Sequence, residues 1–142
     1  MANPAPRNLI EYLDRFEETL HTVRLPCIFC KNICTAHDLT DFVRKNLQLV
    51  WRGTGSAFAA CSSCLKVTAA YEYRVYYQGC IPGDYIEDIS GRPISSLCIR
   101  CVRCLAELDL AEKLGALVFD LPFLVVRSQW RSYCRNCIVH RV

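Results

Sequence analysis

Apolar positions along the chain recur in short helical and strand-like stretches, and no stretch is long enough for one large element. Leu9, Leu13, Phe16 and Leu20 step by four, three and four from Asn8, with Glu11, Asp14, Glu17 and Glu18 elsewhere on the wheel; this predicts an amphipathic helix that Pro26 ends. Residues 1 to 7, with two prolines and no periodicity, read as a disordered start. Thr35 stands three residues before Asp38 in an N-cap pattern, and Leu39, Phe42, Val43 and Leu47 give the next helical stripe. Leu47 to Trp51 turns to strand character, Gly53 and Gly55 bracket a turn, and Ser56 to Ala60 reads as the returning strand. Leu65 to Gln78 holds no Gly or Pro and places Leu65, Ala69, Tyr73 and Tyr76 on one stripe, which predicts a tyrosine-rich helix. Pro82-Gly83 breaks it, and Gly91 with Pro93 marks a second turn. Asp109 then caps a short helix through Leu114 that Gly115 terminates, followed by buried strands at Leu117-Val118-Phe119 and Phe123 to Val126.

The cysteines organise these pieces. Eleven are present, nine of them at the Cys-x-x-Cys spacing that offers two thiolates from one tight turn, half of a tetrahedral zinc site. The run Cys98, Cys101, Cys104 contains two overlapping pairs. Thirty residues separate Cys30 from Cys61; taking Cys101/Cys104 leaves 29 before Cys134, whereas Cys98/Cys101 leaves 32. The former makes the halves near copies. The ligand sets are therefore Cys27, Cys30, Cys61, Cys64 and Cys101, Cys104, Cys134, Cys137, with Cys98 as a buried neighbour and two zinc ions per chain. The fold class that follows is α+β: two duplicated zinc modules, each a knuckle, a helix and a short hairpin or sheet, joined by a linker helix and preceded by an N-terminal helix. Residues 1–26 form the arm and first helix, 27–64 the first module, 65–100 the linker helix and connection, and 101–142 the second module with its short tail.

Units of about 40 residues rarely bury enough apolar surface to fold alone, so metal supplies the missing stability. An odd cysteine count, four clean pairs and the lack of a secretory leader argue against a disulfide framework. A redox reading needs one such pair at a helix start, not four in two matched sets. No apolar run reaches the length of a membrane span. The net charge of +3 is uneven: residues 1–91 carry nine Lys/Arg against ten Asp/Glu, and residues 92–142 carry eight against four.

The double four-cysteine spacing, the 36 residues between Cys64 and Cys101 and the phrase Ile99-Arg100-Cys101-x-x-Cys104 resemble the papillomavirus early protein six family of viral oncoproteins. Asp41-Phe42, Val50-Trp51-Arg52-Gly53, Cys64-Leu65-Lys66, Glu72-Tyr73-Arg74 and Arg127-x-x-Trp130 are further family-like phrases, and the likeness covers residues 20 to 140. It is unlike a RING domain, because His21, His37 and His140 match no ligand spacing.

The resemblance implies a non-enzymatic adaptor of the host nucleus and cytoplasm. Such a protein captures acidic Leu-x-x-Leu-Leu helices of host proteins in a pocket between its zinc modules. The captured helix belongs to a HECT ubiquitin ligase, which is redirected, or to a Mastermind-like coactivator, which blunts Notch signalling. By position the apolar floor is Ile28, Phe29, Leu47, Val50 and Leu65, and the polar contacts are Arg100, Arg52, Arg74 and Arg127. Gln129 departs from the pattern, since many relatives carry there an arginine that pairs with an acidic peptide residue. His140 stands where a PDZ-binding tail needs Ser or Thr, so no PDZ partner is expected. Arg44 stands where some self-associating relatives expose a phenylalanine, which favours a monomer. The competing reading is a nucleic-acid-binding zinc protein acting in transcription, suggested by Arg100, Arg103, Arg127, Arg131 and Arg135, although a net of +4 over the second part is modest for that role.

Overall fold

The computed structural model describes residues 4–53 and 55–138. The chain divides into two compact units, residues 1–65 and 66–142.

In the first unit α1 spans Leu9–Arg15, with the Asn8 side chain accepting from the Glu11 amide at 2.8 Å. The helix ends well short of Pro26 because Glu17 takes a left-handed conformation (φ 54°), which no continuing helix admits. Residues 4–7 before it are not a loose start, and residues 1–3 of that expectation lie outside the described residues. Pro6 is fully buried, its carbonyl accepts from Trp51 Nε1 at 2.7 Å, and the Arg7 carbonyl accepts from the Leu49 amide at 2.7 Å. Helix α2, Ala36–Arg44, starts on a complete capping box between Thr35 and Asp38 and buries Leu39 and Phe42. Strands β1 (Val50–Arg52) and β2 (Ser56–Phe58) form an antiparallel hairpin, shorter at both outer ends than the apolar pattern suggested.

Helix α3 runs Ser62–Tyr76, so it starts inside the Cys61/Cys64 pair rather than after it. Leu65 and Ala69 are buried, while Tyr73 and Tyr76 are exposed, splitting the expected stripe. The next residues, including Gln78, form β3 (Tyr77–Ile81) instead of prolonging the helix. After a 3-10 turn at Gly83–Tyr85, the short α4 (Ile86–Ser90) ends at Gly91 with φ 70°, a left-handed cap that suits glycine.

The second unit is built on a four-stranded sheet in the order β3-β5-β6-β4, with β4 Ile99–Cys101, β5 Phe123–Val126 and β6 Gln129–Ser132. β4 pairs parallel with β6 and the other neighbours are antiparallel. Helix α5 occupies Leu110–Val118, with Asp109 and Glu112 in a second capping box. It runs through Gly115, so neither the expected stop at that glycine nor the expected strand at Leu117-Val118-Phe119 forms. The chain turns only at Phe119 and at Asp120 (φ 56°). Ala116 and Leu121 pack with Ile86, Ile94, Leu97, Ile99, Leu108 and Phe123 in the core of this unit.

The two units repeat one another at an offset of 74 residues. Thr35 and Asp38 correspond to Asp109 and Glu112, α2 to α5, Asn46 (φ 55°) to Asp120 (φ 56°), and Gly53 (φ 57°) to Arg127 (φ 53°). One residue is missing from the turn that follows in the second unit, so Ala59 and Cys61 answer to Ser132 and Cys134, at an offset of 73. The equivalence is α+β at both ends: a knuckle, a helix and a hairpin around one cysteine cluster.

Candidate metal centres

Each module begins with the same backbone device. The Cys27 amide donates to the Asn32 carbonyl (2.8 Å) and the Lys31 amide returns to the Cys27 carbonyl (2.9 Å), with Lys31 at φ 68°. The Cys101 amide donates to Ala106 (2.7 Å) and the Leu105 amide to Cys101 (2.9 Å), with Leu105 at φ 66°. These tight turns aim both sulfurs of a pair to one side and leave amides beside them: the Phe29 amide lies 3.4 Å from Cys27 Sγ, and the Arg103 amide 3.4 Å from Cys101 Sγ.

The second pair of each cluster is brought up by a strand and locked by an acid. The Ile28 amide donates to Ala59 (2.9 Å) and the Val102 amide to Ser132 (2.7 Å), which sets each knuckle beside the strand leading to the third cysteine. Asp38 then accepts from the Ser62 amide at 3.2 Å, and Glu112 from the Arg135 amide at 2.6 Å. Each of these acids closes a capping box and also grips the residue after the third cysteine. Asp41 adds a bond from Ser62 Oγ at 3.0 Å. The positioning role of Asp38 and Glu112 escaped the sequence reading, which saw only the cap; the signal was the cap acid recurring at the duplication offset.

All four sulfurs of Cys27, Cys30, Cys61 and Cys64 lie within 4.8 Å of one another, and so do those of Cys101, Cys104, Cys134 and Cys137. Cys30 and Cys61 are 4.0 Å apart, and Cys104 and Cys134 3.7 Å. Four thiolates at about 2.3 Å from one tetrahedral ion stand ~3.8 Å apart, so the donor sets fit such an ion. Electrostatics favours it too. Burial opposes ionisation of Cys27, but amides of Cys30, Cys61 and Phe29 outweigh it and hold the thiol down to about 6. Cys64 is pushed up to about 12, first by its hydrogen bond with Cys61 and then by burial. In the second cluster, hydrogen bonds from Cys104 and Cys134 drive Cys101 toward thiolate. The same bond from the other side, with Cys101 as acceptor, raises Cys104, and burial followed by the Cys101 charge pushes Cys137 up to about 12. A thiolate at Cys27 thus opposes ionisation of Cys61 and Cys64, and one at Cys101 that of Cys104 and Cys137, and a bound cation is what makes several thiolates compatible in one cluster.

The remaining cysteines stand apart from both clusters. Burial pushes Cys34 up to about 12, an inert thiol. Cys98 is exposed rather than buried, because it stands between Leu97 and Ile99, which both face the core and turn the side chain between them outward.

The proposed peptide contacts are spread over both units. In the first, Phe29 is exposed at the knuckle tip, Ile28, Leu47 and Val50 are half-buried, Leu65 is buried, and Arg52 is exposed at the end of β1. In the second, Arg74 on α3 lies over the Tyr71 ring at 5.8 Å, and Arg127 at the β5–β6 turn lies over Tyr76 at 5.6 Å. Arg100 and Gln129 line one cavity of about 470 Å³ with Ser90, Arg92, Leu97, Cys98, Ser128, Trp130 and Arg131. Arg100 Nη1 donates to the Leu105 carbonyl at 3.0 Å, which ties the guanidinium to the knuckle. Gln129 Oε1 accepts from Arg131 Nη2 at 3.0 Å, and Arg131 lies 3.7 Å from Glu72. Arg92 and Arg131 were missed as neighbours of this cavity; the alternation of positions 129 and 131 on one face of a strand was the available signal. The C-terminal residues behind the PDZ expectation, 139–142, lie outside the described residues.

Among the described residues no helix is long and apolar enough to cross a membrane. The model of the early protein (E6) family matches residues 27–137, which span both clusters. Protein E6 of human papillomavirus 65 is 41% identical over 138 residues, covering 97% of this chain and 98% of the relative. Protein E6 of human papillomavirus type 60 is 40% identical over 94% of this chain and 93% of its own, and that of human papillomavirus 4 is 41% identical over 97% and 98%.

Proposed function

The chain belongs to the early protein E6 family of the papillomaviruses, and from that premise we propose that it is a zinc-dependent adaptor without catalysis of its own, which captures acidic Leu-x-x-Leu-Leu helices of host proteins. Zinc suits both clusters, since four thiolates in a tetrahedral set favour a soft ion without redox demands or directional preference. Its role is structural: each ion fastens two knuckles that the small cores do not hold by themselves.

The observation that carries the adaptor reading is the cavity around Arg100. Arg92, Arg100 and Arg131 supply positive charge there, and Leu97 and Trp130 supply apolar surface. An acidic amphipathic helix matches that combination, since apolar anchors at i, i+3 and i+4 carry affinity while carboxylates meet guanidinium groups. The host helix is that of a HECT ubiquitin ligase or of a Mastermind-like Notch coactivator, and the sites of action are the host nucleus and cytoplasm.

Titration of a labelled acidic Leu-x-x-Leu-Leu peptide tests this. Arg100→Ala weakens binding by about 1.5 to 3 kcal/mol, the range for hydrogen bonds to charged groups. Arg100→Lys recovers only part of the loss, because a lysine cannot reproduce the guanidinium fork, and zinc content stays at wild-type level. Peptide binding left intact by Arg100→Ala, together with a salt slope for duplex DNA lowered by about one unit, would instead mark Arg100 as a phosphate contact.

A further inference from the structure

Strands β4 and β6 set two arginines side by side. Arg100 and Arg131 are register partners in the parallel pair, so both side chains leave the same face of the sheet, and both line the cavity of about 470 Å³. Arg131 is only 5% exposed. Like charges on neighbouring strands repel, and the more so where little water screens them. Arg92 brings a third guanidinium to the same cavity from the turn after α4. Among the described residues no Asp or Glu lines it, and Glu72, the acid that meets Arg131 at 3.7 Å, is not part of the lining.

The duplicated module shows that this ladder does not require the charges. There Cys27 pairs parallel with Ala59 as Cys101 does with Ser132. The residues one step before them, Pro26 and Phe58, stand where Arg100 and Arg131 stand in the second module. The same architecture is built from a proline and an aromatic ring. The arginine pair is therefore an addition to the scaffold, and folding of the module does not explain it.

Two of the three guanidinium groups are also held in place by the backbone. Arg100 Nη1 donates to the Leu105 carbonyl at 3.0 Å, and Arg92 Nη2 to the Ser96 carbonyl at 2.8 Å. A carbonyl orients a guanidinium without cancelling its charge. A carboxylate brings one charge and two acceptor oxygens, which a single arginine fork satisfies. A phosphate monoester brings close to two charges and three acceptor oxygens, and it is the anion that three guanidinium groups suit. Resting on the reading that this cavity receives the acidic face of the captured host helix, we propose that its charged end is a phosphate site, and that the preferred helix bears a phosphoserine or phosphothreonine beside its Leu-x-x-Leu-Leu core. Leu97 and Trp130 take the apolar side chains of the same helix.

Titration of the zinc-loaded full chain with labelled peptides is the test. One acidic Leu-x-x-Leu-Leu peptide is made with serine, glutamate or phosphoserine at each position flanking the core in turn. At one flanking position phosphoserine binds about tenfold tighter than glutamate, because only the dianion engages all three arginines. Arg92→Gln brings that ratio down to about threefold or less, since one of the three donors is gone. The side chain is exposed, so zinc content and thermal midpoint stay at wild-type values. Glutamate peptides that bind as tightly as phosphoserine at every position overturn the phosphate site and leave the adaptor reading standing. Failure of every peptide, phosphorylated or not, overturns both. A phosphoserine advantage that survives Arg92→Gln puts the phosphate elsewhere and overturns the assignment to this cavity. Duplex DNA that displaces the phosphoserine peptide at physiological salt, where inorganic phosphate at the same phosphate concentration does not, gives the arginines to a nucleic-acid backbone and overturns the phosphopeptide.

Discussion

Ser132 is the residue at which the two modules can be compared most directly. Its side chain is fully buried, and its hydroxyl finds no hydrogen-bond partner among the described residues. The equivalent residue in the first module is Ala59, at 1% exposure and with the same backbone bond to the knuckle. A buried hydroxyl without a partner costs about 1 to 3 kcal/mol. Ser132→Ala therefore stabilises the zinc-loaded chain, seen as a raised denaturant midpoint with an unchanged slope; a lowered midpoint would mean that the hydroxyl is bonded in solution. None of this was legible in the sequence, where Ser132 is one polar residue before a cysteine and only its strand partner Cys101 shows that it faces inward. Cys98 illustrates the opposite limit. Counting residues removed it from the ligand set, but counting carries no information on burial, and its exposure follows from its place between the inward-facing Leu97 and Ile99.

Among the elements, α2 was readable because its cap and the buried Leu39 and Phe42 of its stripe agree, although Leu47, expected on the same stripe, lies beyond the end of the helix at Arg44 and the left-handed Asn46. The end of α5 was not. Gly115 looks like a stop, and Leu117-Val118-Phe119 has strand composition, yet Ala116 and Leu121 both have places in the core that a helix through Gly115 satisfies. Packing outweighed a propensity cost of about 1 kcal/mol for an interior glycine. The parallel pairing of β4 with β6 was equally invisible, since it joins segments some thirty residues apart. The knuckles are the elements on which the ligand assignment can be checked. Cys101→Ser lowers the zinc content by one ion in native mass spectrometry, whereas Cys98→Ser leaves two. Loss of an ion in the Cys98 variant would shift the register by three residues and break the correspondence between modules.

For the whole molecule, the second cluster is part of its unit's core, where Cys101, Cys104 and Cys134 are buried, whereas in the first only Cys27 is buried. Removing the ions leaves four sulfurs facing one another in each cluster and takes away the link between knuckles. Chelation is therefore expected to unfold both units, monitored by loss of far-ultraviolet circular dichroism, and re-addition of zinc under reducing conditions to restore it. A chain that keeps its fold after complete metal removal would contradict the architecture. The two units also differ in what else secures them, because only the first has an arm, pinned by the bond from Trp51 Nε1 to the Pro6 carbonyl. The chain has two tryptophans, and the second, Trp130, stands on β6 beside the Arg100 cavity. Each module thus carries its own fluorophore at its own landmark. Trp51→Phe leaves a chain whose emission reports the cavity, and Trp130→Phe one whose emission reports the arm, so the order in which the halves come apart is written in light the protein already emits.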